Sequence, residues 1–151
     1  MKKIVLIALL VLFGLSAVAQ TARPIRWRMT VKMTSETEGV ATVRAVVEPG
    51  WHLYGTSVPE GGPKATRFTL TGSTGVEATG DIEPSVAAKT VQDPVFGMEL
   101  TWWDSNVAFS LPFKVTEPDA SLSVTVNFMG CNDETCLPPS HETLTYNKFQ
   151  K

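Results

Sequence analysis

Only two cysteines and two histidines occur among the 151 residues. The cysteines, Cys131 and Cys136, lie too close in sequence for a disulfide to tie distant strands together, and a metal site built on cysteine and histidine would be short of a fourth strong ligand. Basic charge is not in excess, since 13 Lys and Arg stand against 15 Asp and Glu. Nucleic acid and anionic membrane surfaces both call for basic patches, so neither is an expected partner. No window offers an amphipathic helix of useful length, and no internal repeat, low-complexity tract or interdomain linker is present. Eleven glycines and ten prolines are too few for a disordered chain, but they suit one with many turns.

The N-terminus reads as an export signal over residues 1–19. Lys2 and Lys3 form its basic start, Ile4 to Leu15 its apolar stretch, and Ala17-Val18-Ala19 a small-x-small cleavage pattern before Gln20. The apolar stretch falls short of the ~20 residues of a spanning helix. No cysteine follows it to carry a lipid. The expected mature protein is one domain, residues 20–151, periplasmic, monomeric and without a membrane span. Loss of the two lysines would take its formal net charge from −2 to −4.

Period-two alternation dominates the rest, as in strands with one buried face. Ile25, Trp27, Met29, Val31 and Met33 alternate with polar residues, and Ala41, Val43, Ala45 and Val47 repeat the pattern. Phe68 and Leu70 form a shorter set. Val107 to Phe113, Leu122 to Phe128, and Leu144 with Tyr146 complete the series. Strands with one apolar face must close over one another. The expected fold is all-β, an antiparallel immunoglobulin-like β-sandwich.

Two stretches break the alternation. Gly50-Trp51-His52-Leu53-Tyr54-Gly55 packs three rings into six residues, and Asp93-Pro94-Val95-Phe96-Gly97-Met98 is a turn with an apolar tip, followed by Trp102-Trp103. Apolar residues on loops either plug the ends of a sandwich or form a binding surface.

The cysteines sit together as Cys131-Asn132-Asp133-Glu134-Thr135-Cys136, followed by Leu137-Pro138-Pro139. As a staple, a loop this short would contribute roughly 2 kcal/mol by the chain-entropy relation. As a redox pair, the two thiols could alternate between dithiol and disulfide while the scaffold stays still. As metal ligands they would have His141 beside them, with Asp133 or Met129 as weak additions. Asp133 and Glu134 disfavour a thiolate, and no Lys or Arg lies between Met129 and Ser140 to offset them. The pair is therefore expected to be nearly inert until a partner docks.

The run Gly130-Cys131-(x4)-Cys136-Leu137-Pro138-Pro139, late in an exported β-sandwich, resembles the N-terminal periplasmic domain of the DsbD thiol:disulfide interchange proteins. Gly50 to Tyr54 resembles that domain's aromatic segment, and Asp93 to Gly97 its cap loop. The likeness covers residues 25–147. It implies a domain, here expected as a stand-alone chain, that passes reducing equivalents from the thioredoxin-like domain of a membrane-embedded reductase to oxidised periplasmic thiol proteins. No cofactor or metal is implied. Cys136 would form the mixed disulfide and Cys131 would resolve it. Asp93 would lie near the pair, Val95 or Phe96 would shield it, and His52 and Tyr54 would line the site. The sequence departs from some members in placing one residue fewer between the cysteines. It also has His52 where they carry a phenol.

Overall fold

Each alternating stretch forms a strand. The computed structural model describes residues 22–149, so the export signal expected at residues 1–19 lies outside them. In chain order the strands are β1 (Ile25–Met33), β2 (Glu38–Val47), β3 (His52–Tyr54), β4 (Arg67–Thr69), β5 (Val76–Ala78) and β6 (Glu83–Pro84). They continue with β7 (Lys89–Asp93), β8 (Met98–Trp103), β9 (Val107–Val115), β10 (Leu122–Phe128), β11 (Gly130–Cys131) and β12 (Ser140–Tyr146). Among the described residues there is no helix, and hence none long and apolar enough to cross a membrane.

Three antiparallel sheets result. The first runs β1-β2-β9-β5, with β6 also paired to β9; the second runs β12-β10-β4; the third runs β11-β3-β8-β7. Inward positions of the first two sheets meet in one core, which includes Trp27, Val43, Phe109, Phe113, Leu122 and Val126. Trp27 joins the layers through its ring. It meets Phe128 edge-on at 5.4 Å, Phe68 edge-on at 5.9 Å and Phe109 at 6.1 Å. Such ring pairs contribute about 0.5–1.5 kcal/mol each beyond the area they bury.

The third sheet is the one that alternation did not announce. All three residues of β3 are buried, because both of its faces are covered. Leu53 and its register partner Trp103 face the main core. Their neighbours on the opposite face build the site. A strand covered on both sides loses the polar half of its pattern, so the aromatic segment and the Trp102-Trp103 pair looked like loops.

Candidate functional site

Register places the site residues on one face. In an antiparallel pair, opposed residues point the same way, and so do residues two apart along a strand. Cys131 is opposite His52, and Tyr54 is opposite Trp102. Along β8, Met98, Leu100 and Trp102 share that face, as does Asp93, the partner of Met98. The outcome is a second small core: Tyr54, Leu100 and Cys131 are buried, with Phe96, Met98, Trp102, Met129 and Cys136 among the residues packed around them.

The two cysteines face each other across a tight hairpin and form a disulfide. Backbone hydrogen bonds flank them on both sides, Asn132 N to Thr135 O and Leu137 N to Gly130 O, each 2.9 Å. They thus occupy a non-hydrogen-bonded position of the ladder, where opposed side chains come closest. The Asn132 side chain closes the tip: its Oδ1 accepts from Glu134 N at 2.9 Å and Thr135 N at 2.8 Å. This is the local bonding that favours Asn in turns. Gly130 seats the hairpin on the sandwich, since a Cβ there would lie 2.9 Å from Ile25 Cδ1. Cys131 is 0% exposed, whereas Cys136 is only partly buried.

The expected cap loop is the turn joining β7 to β8, and Asp93 holds it. Its Oδ1 accepts from Val95 N at 2.7 Å and from Phe96 N at 2.8 Å. Gly97 N donates to Asp93 O at 2.9 Å, and Gly97 closes the turn at φ 64°, a conformation that favours glycine. Asp93 Oδ2 accepts from the Tyr54 hydroxyl at 2.5 Å. One carboxylate therefore shapes the cap and ties it to β3. Phe96 packs edge-on against Tyr54 at 6.0 Å and joins the cluster that contains both cysteines. Val95 is 42% exposed. Of the two residues left open by the sequence, Phe96 is the one turned inward.

His52 is stacked on Trp102 with ring centroids 3.7 Å apart. Its Nε2 is buried without a hydrogen-bond partner and lies 4.0 Å from Asp93 Oδ2. Burial pushes its pKa below the ordinary value, while Asp93, Asp133 and Asp104 pull the other way. Burial also raises the Tyr54 phenol, reinforced by the hydrogen bond to Asp93 and that residue's charge. Trp102, Leu100 and Met98 were not singled out as site residues from sequence. Their two-residue spacing was the available signal, masked by Trp103 on the opposite face. His141 lies on β12 opposite Asn127, exposed and in a different sheet.

A family model, described as the N-terminal part of the thiol:disulfide interchange protein DsbD, matches residues 21–148. The chain belongs to the DsbD N-terminal family. Membership associates it with thiol–disulfide interchange. Its fold is similar to that of the N-terminal periplasmic domain of ScsB from Proteus mirabilis, at 19% identity and a TM-score of 0.62. That likeness covers 83% of this chain and 47% of the other, so the chain spans about half the length of the ScsB structure. It is also similar to the Neisseria meningitidis DsbD N-terminal domain in the reduced form, at 14% identity and a TM-score of 0.56, covering 82% of this chain and 90% of that one. Identities this low speak for the immunoglobulin-like fold alone. Among curated proteins, none matches the chain.

Proposed function

We propose that the chain relays reducing equivalents in the periplasm through Cys131 and Cys136. The donor would be a thioredoxin-like domain of a membrane-embedded reductase, and the acceptors oxidised periplasmic thiol proteins. The observation that supports this reading is the asymmetry of the pair: one sulfur-bearing residue wholly buried, the other partly open, both in the small cluster that Phe96 joins. A partner that displaces Phe96 reaches Cys136 first. The donor's thiolate attacks Cys136 Sγ, the Cys131–Cys136 bond breaks, and Cys131 leaves as a thiolate that takes up a proton. The donor's second thiol then releases the reduced pair and is itself oxidised. Run in reverse against an oxidised acceptor, Cys136 attacks and Cys131 resolves. The exchange itself needs no cofactor.

Opposed positions in a hairpin suit this cycle, because the ladder holds the two residues together whether or not their bond exists. Asp133 and Glu134 beside the pair keep thiolate character low, which restrains reaction with stray oxidants until a partner has docked. The reduction potential tests the reading. A relay should titrate between about −120 and −270 mV, whereas a purely structural bond falls below about −300 mV. Cys131→Ser should trap a periplasmic thiol protein on Cys136 as a mixed disulfide. A potential below the relay range, with nothing trapped, would leave an exported β-sandwich binding module with a structural disulfide.

A further inference from the structure

We propose that His52 is the proton acceptor for Cys131 when that thiol resolves the mixed disulfide, with Asp93 behind it to hold the imidazolium. The assignment depends on the relay reading above. It addresses a difficulty built into that reading: Cys131 must lose a proton to act, yet it is 0% exposed. Water has no ready access to it.

His52 is where a base is needed. It is the register partner of Cys131 in the neighbouring strand and on the same face, a placement that brings the two Cβ atoms within about 4.5–5.5 Å. His52 is 3% exposed, and its ring stacks on Trp102. Its Nε2 has no partner and lies 4.0 Å from Asp93 Oδ2. That gap is too long for a hydrogen bond but short enough for the carboxylate to attract a charged ring.

Leaving a buried polar atom unpaired costs about 1–3 kcal/mol, and a phenylalanine could stack on Trp102 without that cost. An imidazole here is explained by a proton that arrives during the reaction. The charged and titratable groups around it are consistent in sign. Asp93 comes from the cap, Tyr54 from the same strand, and Asp133 from the cysteine hairpin. Asp104, already held by Lys89, follows β8. Lys89, the register partner of Trp102, is a cation on the neighbouring strand and is engaged by Asp104; burial keeps the ring neutral and able to accept at neutral pH.

The step balances as follows. Cys136 is joined to the partner's sulfur. The Cys131 thiol gives its proton to the imidazole, and its sulfur attacks Cys136 Sγ. The Cys131–Cys136 bond forms as the bond from Cys136 to the partner breaks, and the partner's sulfur leaves with the electron pair. His52 then passes the proton to solvent, from which the leaving thiolate is protonated. The protein pair is oxidised by two electrons and the partner is reduced by two.

Single-turnover reaction of the reduced full chain with 5,5′-dithiobis(2-nitrobenzoate), an aromatic disulfide, separates the two halves. The first thionitrobenzoate released reports attack by Cys136, and the second reports resolution by Cys131. In the wild type the second rate should rise with pH through an inflection below about 6.5, the ordinary imidazole value. His52→Phe, which keeps the stack, and His52→Gln, which keeps a polar group without a base, should each slow the second release at pH 7 at least roughly tenfold, toward the low end of general-base effects. In both, only a rise in the thiol range should remain. Asp93→Asn should move the inflection lower still. Matching near-UV circular dichroism would show that each variant is folded. A second release with wild-type rate and pH profile in both His52 variants overturns the assignment and leaves the relay standing. Absence of any release from the reduced wild type removes the relay, and the assignment with it.

Discussion

The Asp93 carboxylate accepts hydrogen bonds from three residues, Tyr54, Val95 and Phe96, in a residue only 2% exposed. A buried carboxylate is tolerated when its oxygens are satisfied in this way. Removing one donor is therefore costly: Tyr54→Phe should lower stability by about 1.5–3 kcal/mol, the range for hydrogen bonds to charged groups, as read by urea unfolding. Tyr54 and the neighbouring His52 set two pH limits. Because Tyr54 has a folded pKa above its ordinary 10.0, its contribution is complete below about pH 10 and lost as the unfolded chain ionises above it. Because His52 has a folded pKa below 6.5, the unfolded chain takes up that proton first, and stability should fall as pH drops from about 6.5 toward the folded value. Unfolding of His52→Phe between pH 5 and 8 should lack this slope; an unchanged slope would assign it to another group.

At the scale of elements, the third sheet serves two surfaces at once. Leu53 and Trp103 seal the sandwich on one side, while His52, Tyr54 and Trp102 support the cysteine hairpin on the other. The β7–β8 turn then folds Phe96 back over that outer face. As the proposed shield, Phe96 can be told apart from its neighbour Val95. In the reduced protein, Phe96→Ala should accelerate alkylation of Cys136 by iodoacetamide several-fold, and Val95→Ala should leave the rate close to wild type. The reverse order would make Val95 the shield. Gly97→Ala forces a side chain onto a residue at φ 64° and should cost about 1–2 kcal/mol, loosening the cap in the same assay.

Across the whole molecule, the main core and the site are two distinct clusters. The disulfide closes a short hairpin at the sheet edge and spans no distance within the core. Reducing it should therefore lower stability by no more than roughly 2 kcal/mol, the chain-entropy value for so short a loop, leaving both redox forms folded. Phe109→Ala, in the middle of the ring cluster, should cost about 3–5 kcal/mol. Urea unfolding of oxidised, reduced and Phe109→Ala protein gives this comparison. A reduced form less stable than the Phe109 variant would mean that the disulfide holds the fold together.

The long strands β1, β2, β9 and β10 were legible because each buries one face, and alternation along a strand is a local property. The cysteine pair was legible from its isolation and spacing, and the turn at Asp93 from its Asp, Pro and Gly. The strand character of His52–Tyr54 and Met98–Trp103, the inward turn of Phe96 rather than Val95, and the bond from Tyr54 to Asp93 became evident only in the folded chain. Each depends on which strands lie side by side. Pairing between segments dozens of residues apart leaves no periodic trace in either segment, least of all where both faces are covered and polar residues no longer mark the outside.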